Sequence, residues 1–330
     1  MKKRQEGNEM LRKKFMSAAL AVVMSFALSA LGMAEPSAPV RLAGLKGPTS
    51  MGMVKLLSDN EAGKAKNAYD FVMNASGVEL SQKLLAGEVD LAAVPSNLAA
   101  VLYNKTSGKI KVIAVNTLGV LYVVSTDESV KSLEDLKGKT IMATGKGQVP
   151  EITLRALLKA ANIDPDKDVT IEFKSEPTEV VGLLAKDGGI AMLPQPFVTA
   201  ASAKVNGLRV VLDLSKEWEK LQGSPIVTGV TVVRKDFLDA NKDKVDDFLS
   251  EDKASIEYVN ANPDEASALI EKFGIIKAAI AKKALPKCNI HYADGEEMKK
   301  MLSCYFGVIL KENPASLGGK LPDDEFYYAK

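Results

Sequence analysis

Four short turns carry the residues best able to hold a small polar molecule: Gly47-Pro48-Thr49-Ser50, Pro95-Ser96-Asn97, Gly145-Lys146-Gly147-Gln148 and Pro194-Gln195-Pro196. Each leads into a stretch with helical periodicity. The first turn of a helix has unpartnered N–H groups and a partial positive charge. Helix starts that converge therefore suit a carboxylate, sulfonate, phosphate or polar heteroatom. Magnitude limits what they do alone: one helix start gives an anion about 0.3–1 kcal/mol, whereas micromolar binding needs about 8 kcal/mol. The rest has to come from side-chain hydrogen bonds and apolar burial. Thr49, Ser50, Ser76, Ser96, Asn97, Gln148, Gln195 and Thr228 are the candidate hydrogen-bonding side chains, with Met51, Leu118 and Phe197 as apolar walls. The turn residues Gly47, Pro48, Pro95, Gly145, Gly147 and Pro194 complete the expected ligand-binding set. Lys46 and Lys146 occupy matching positions, where solvated lysines are the plainer reading.

A repeat in the chain relates these turns to one another. Leu84-Leu85-Ala86-Gly87-Glu88-Val89-Asp90-Leu91-Ala92-Ala93-Val94-Pro95 returns as Leu183-Leu184-Ala185-Lys186-Asp187-Gly188-Gly189-Ile190-Ala191-Met192-Leu193-Pro194. Arg41 to Gly47 has a fainter echo in Ile141 to Gly147, at nearly the same offset. In each copy an apolar strand runs into Gly, Pro or Ser and then into a helical pattern. The grammar predicts an α/β protein of two related lobes, with strand-end turns facing each other across a cleft. In open α/β sheets, ligands sit at the carboxyl ends of strands, and a cleft between lobes is a binding site. The first lobe is expected over 35–119, the second over 120–227, and a return to the first over 228–330. Strands are expected at 40–45, 68–73, 89–94 and 110–116, then at 120–125, 140–143, 169–173, 190–193 and 208–214, and finally at 228–234. From Asp236 the texture changes to amphipathic helix that wraps back over the first lobe.

The chain has 330 residues, enough for two domains with real cores. Lys and Arg number 43 against 42 Asp and Glu, so no net field draws it to nucleic acid or acidic lipid. Residues 1–34 read as an export signal: Arg12-Lys13-Lys14, an apolar run over 15–31, then Gly32-Met33-Ala34 with small residues for cleavage near Ala34. Both Met1 and Met10 fit as the start. No Cys adjoins the cleavage site, so lipid attachment there is not expected. The reading is a soluble, exported, periplasmic protein that acts as a monomer without a cofactor.

Catalytic sets are poorly served. His291 is the only histidine and lies far from the turns. Gly145-x-Gly147 lacks the third glycine of a dinucleotide fingerprint, and no phosphate loop occurs. The two cysteines, Cys288 and Cys304, leave two readings open: a disulfide closing a loop of about sixteen residues, worth roughly 3 kcal/mol, or two separate thiols. No metal set is expected.

Together these features resemble the periplasmic substrate-binding proteins of ABC importers, in the nitrate/sulfonate/taurine-type branch that also contains thiamine-pyrimidine binders. The resemblance rests on Leu45 to Gly52, Gly87 to Asn97, Asn116 to Tyr122, and Ser132-Leu133-Glu134-Asp135-Leu136-Lys137-Gly138-Lys139-Thr140-Ile141. It implies the type II periplasmic-binding fold: two α/β lobes joined by two crossover strands, with extra C-terminal helices on the first. It also implies a small polar solute, anionic or heterocyclic, closed between the lobes and handed to a membrane permease driven by an ATPase. Leu193-Pro194-Gln195-Pro196 departs from the aromatic-acidic turn of many sulfonate and nitrate binders. The chain also lacks the cysteine-rich motif of the related pyrimidine-forming enzyme. Two rival functions stand beside this one: an enzyme on the same scaffold acting on a cofactor precursor, and a ligand sensor for a membrane receptor.

Overall fold

The repeated segments occupy equivalent strands of two separate sheets in the computed structural model, which describes residues 38–74 and 76–329. The expected export signal at 1–34 lies outside the described residues. The first sheet contains β1 (Val40–Leu45), β2 (Tyr69–Asn74), β3 (Leu91–Pro95) and β4 (Ile110–Leu118). The second contains β5 (Leu121–Ser125), β6 (Thr140–Ala143), β7 (Thr170–Phe173), β8 (Ile190–Pro194) and β9 (Arg209–Asp213). The chain then returns to the first sheet with β10 (Val227–Arg234) and β11 (Ile290–Ala293). Strand order is β11-β4-β10-β3-β1-β2 in one sheet and β7-β6-β8-β5-β9 in the other.

In the first sheet β1 pairs parallel with β2 and β3, and β10 runs antiparallel beside β3. In the second, β6 pairs parallel with β7 and β8, and β5 runs antiparallel beside β8. Each lobe thus borrows its antiparallel strand from across a crossing, as two related lobes joined by two crossovers require. The central strands β3 and β8 are buried over all but their last residue, which is why they read as continuous apolar runs.

An acidic residue of the first repeat anchors that lobe away from the cleft. Asp90 is 1% exposed, accepts from Arg41 Nε at 2.9 Å and from Arg234 Nη2 at 3.1 Å, and so ties β1 and β10 to the approach to β3. Burial works to raise its pKa, but the hydrogen bonds from Arg41 and Arg234 outweigh it and hold the carboxyl below its ordinary range.

Two differences from the sequence expectation have simple causes. The strand expected over 208–214 stops at Asp213, whose carboxylate accepts from Ser215 N and Lys216 N and starts the helix Leu214–Gln222. The C-terminal helices Lys242–Ala261 and Pro263–Lys272 pack on the first lobe around Val54–Glu61. The helix Gly295–Glu312 also reaches the second lobe: Tyr305 meets Trp218 edge to face, with ring centroids 5.6 Å apart. One hydrophobic cluster therefore runs through both lobes. Among the described residues, no helix is long and apolar enough to cross a membrane.

Candidate functional site

A cavity of about 600 Å³ opens between the lobes at the carboxyl ends of their strands. The size suits a small organic solute. On the first lobe, Leu45 ends β1, Ser76 and Gly77 begin the helix Gly77–Ala86, and Pro95 ends β3. Asn97 and Leu98 follow in the first turn of Ser96–Thr106, and Thr228 comes from β10. Val120 and Leu121, on the first crossing, also line the cavity. The second lobe gives Gln148, Val149 and Pro150 from the start of Val149–Ala160, and Pro194 from the end of β8.

Three long helices thus begin at the cavity, two from the first lobe and one from the second. Ser76 caps the first of them, accepting from Glu79 N at 3.2 Å. Gln148 is the residue before the third, and its side chain caps nothing. Asn97 Nδ2 donates to Ser316 O at 3.5 Å, which leaves its carbonyl oxygen for a guest. None of the described lining residues is ionisable. The wall is mostly aliphatic, with amide and hydroxyl groups at the helix starts. Such a site can hold a solute with one polar or singly charged end and an apolar body.

Of the residues expected from sequence, Ser76, Pro95, Asn97, Gln148, Pro194 and Thr228 meet here. The others serve the scaffold. Ser50 is fully buried and its Oγ donates to Leu45 O at 2.7 Å. Met51 is buried among Val54, Ile256 and Ile270. Gly47 and Pro48 begin a helix of only four residues, Pro48–Met51, and Thr49 packs over Gly229, where a Cβ would meet its Cγ2. Ser96 is 1% exposed and its Oγ donates to Val227 O. Leu118 joins the main core and Phe197 the core of the second lobe.

Gln195 is also 1% exposed, and its Oε1 accepts from Thr199 N at 3.3 Å and Thr199 Oγ1 at 2.9 Å. Gly145 and Gly147 shape the turn instead of lining it: both have positive φ, 77° and 73°, and the Gly147 N–H is taken by Glu151 Oε2 at 2.6 Å. Lys46 is exposed, and Lys146 Nζ sits 5.9 Å from the Phe173 ring centroid.

The disulfide reading is corrected. Cys288 is buried among the helices of the first lobe while Cys304 is exposed on Gly295–Glu312, so both are free thiols. Burial pushes the Cys288 thiol up to about 12. No cluster of three or more His, Cys, Asp or Glu suited to a metal occurs among the described residues.

Sequence reasoning missed Leu45, Gly77, Val78, Leu98, Val120, Leu121, Val149 and Pro150 as lining residues. Most adjoin a turn that was identified. Val120 and Leu121 had a topological signal: a strand that crosses between lobes has to pass the floor of their cleft.

The family model described as Menaquinone biosynthesis matches residues 57–305. A Brucella abortus (strain 2308) protein with a provisional binding-protein name is 27% identical over 193 residues, or 58% of this chain. That match spans 57% of the relative's own length. Among solved structures, an ABC transporter protein of Parabacteroides distasonis superposes with a TM-score of 0.73 at 24% identity, covering 88% of this chain and 99% of that one. The periplasmic aliphatic sulphonate binding protein SsuA of Escherichia coli superposes at 0.70 with 16% identity, covering 88% and 92%. The fold is the two-lobed type II periplasmic-binding fold.

Proposed function

The chain belongs to the menaquinone biosynthesis family, and for this member of it we propose capture of a solute instead of its conversion. It is a receptor that holds a small polar solute in the inter-lobe cleft for an ABC import system. The observation that carries this reading is the cavity itself. Three helix starts from two lobes converge on a wall whose described residues include no ionisable acid or base to activate its two hydroxyls, Ser76 and Thr228. Ser76, Asn97, Gln148 and Thr228 are the proposed polar contacts, with Val120, Leu121 and Val149 against the apolar body of the solute. The helix starts favour an anionic or heterocyclic head.

The physiology we propose goes with that reading. The signal at 1–34 exports the protein, which works as a soluble monomer in the periplasm and delivers its solute to a permease driven by an ATPase. The proposed lobes are 35–119 with 228–330, and 120–227. A solute touching both lobes stabilises their closed arrangement by its differential affinity.

A second reading, favoured by the family description, is an enzyme that acts on a menaquinone precursor with the same cleft. Thermal-shift screening of alkanesulfonates, nitrate, aromatic carboxylates, amino acids and pyrimidines finds the solute. Mass spectrometry after incubation then separates the readings. The receptor returns its solute unchanged at one equivalent, whereas conversion of the bound compound refutes capture.

A further inference from the structure

A segment distant in sequence fastens the floor of the cleft. Leu118 N–H donates to Asn289 O at 3.0 Å, and Asn289 Nδ2 donates back to Gly119 O, across 170 positions of chain. A few residues on, Tyr122 Oη donates to Lys287 O at 3.0 Å. The bonds bracket the first crossing. Tyr122 belongs to β5 of the second lobe, while Lys287 and Asn289 lead into β11 of the first.

Cys288, between these two residues, is fully buried, which seats the segment against the first lobe. Asn289 holds a left-handed φ of 46°, a conformation that asparagine tolerates better than most residues. The second crossing reaches the same point: a Cβ on Gly119 would meet Ser215 Oγ and Ile226. Both crossings therefore pack at Gly119, and the next residues in the chain, Val120 and Leu121, line the cavity.

We propose that residues 287–289 form a clasp that sets the angle between the lobes, with Asn289 and Tyr122 as its positioning residues. Opening the cleft turns the crossing at Gly119 and stretches the bonds on both sides of it. The clasp holds the empty protein near its solute-binding arrangement and reduces the population that has to close on capture. Its effect on affinity rests on the receptor reading; its effect on lobe spacing does not.

The test measures lobe spacing in the full chain with no solute present. Spin labels at Leu85→Cys and Leu221→Cys, both exposed and on different lobes, report the distance by pulsed electron resonance in a Cys304→Ser background. Buried Cys288 stays unlabelled. Asn289→Gly removes the side-chain donor and keeps the left-handed backbone accessible, and Tyr122→Phe removes one hydroxyl. Each variant is expected to broaden the distance distribution, and the double variant more than either, with circular dichroism unchanged. Where a solute has been found, its affinity falls about three- to tenfold. Distributions that superimpose on the wild type in both single variants and the double overturn the clasp. So does broadening confined to Asn289→Gly and accompanied by lost ellipticity, because that is a folding defect. Absence of any bound solute would refute the receptor reading and leave the distance result to stand or fall alone.

Discussion

The two lobes each present one long helix and one short helix after their equivalent strands, and the two kinds of turn have different uses. After β3, Ser96–Thr106 runs for 11 residues, and Val149–Ala160, after β6, for 12; Asn97 in the first turn of one and Gln148 just before the other lie at the cavity. After β1, Pro48–Met51 has 4 residues, and Phe197–Ser202, after β8, has 6. Ser50 in the first of these and Gln195 in the turn before the second point inward, to Leu45 O and Thr199. A long helix sums enough peptide dipoles, and is braced by enough packing, to present its open end to a guest. A short one uses its polar groups to hold itself. The repeat therefore duplicated a scaffold, and the two lobes assigned the cleft to opposite members of the pair.

Four measurements probe that division, beginning with the largest effect. Asn97→Ala combined with Gln148→Ala should weaken solute binding about 10- to 100-fold, from two lost hydrogen bonds at about 1 kcal/mol each, with little change in melting temperature. Titration calorimetry reads the first quantity and scanning calorimetry the second. An intact affinity would remove the long-helix turns from the site.

The second concerns pH, which acts on the scaffold behind the short turn. Asp252 is 1% exposed in Lys242–Ala261, and burial raises its pKa to about 7. Because the folded state holds that proton more tightly than the unfolded chain, the associated stability is full below about pH 4 and is lost as pH rises through about 7. Asp252→Asn should flatten this decline, on the order of a few kcal/mol in urea unfolding, while leaving solute affinity alone.

Third, Ser50→Ala should cost about 1–2 kcal/mol of stability by leaving Leu45 O unpaired, and Gln195→Ala a similar amount, each with affinity within twofold or so of wild type. A large affinity loss with unchanged stability in either would erase the distinction between long and short turns. The smallest effect concerns the thiols. A maleimide should modify Cys304 in the native protein and Cys288 only on unfolding, and a reductant should leave the melting temperature unmoved.

Much of this was legible in the chain because its signals are local. The two runs ending in Pro95 and Pro194, and the glycines at 145 and 147, mark strand ends and turns wherever they occur, and the repeat relates one lobe to the other. Side-chain direction was not legible. Ser96 and Asn97 are adjacent and equally polar, yet one bonds to Val227 O on the returning strand and the other faces the cavity. That choice depends on β10, which lies more than a hundred residues away in sequence. Distance also hid the part played by Asn289, whose partners are at Leu118 and Gly119. Asp213 went unread as a cap because the apolar pattern of β9 continues through Leu214.

Amide hydrogen exchange with and without saturating solute reads which helix starts hold the guest. The predicted result is slowed exchange in the first turns of Gly77–Ala86, Ser96–Thr106 and Val149–Ala160 together, with Pro48–Met51 and Phe197–Ser202 unchanged. Protection confined to one lobe, or centred on the two short helices, would contradict a solute held between the lobes by their long ones.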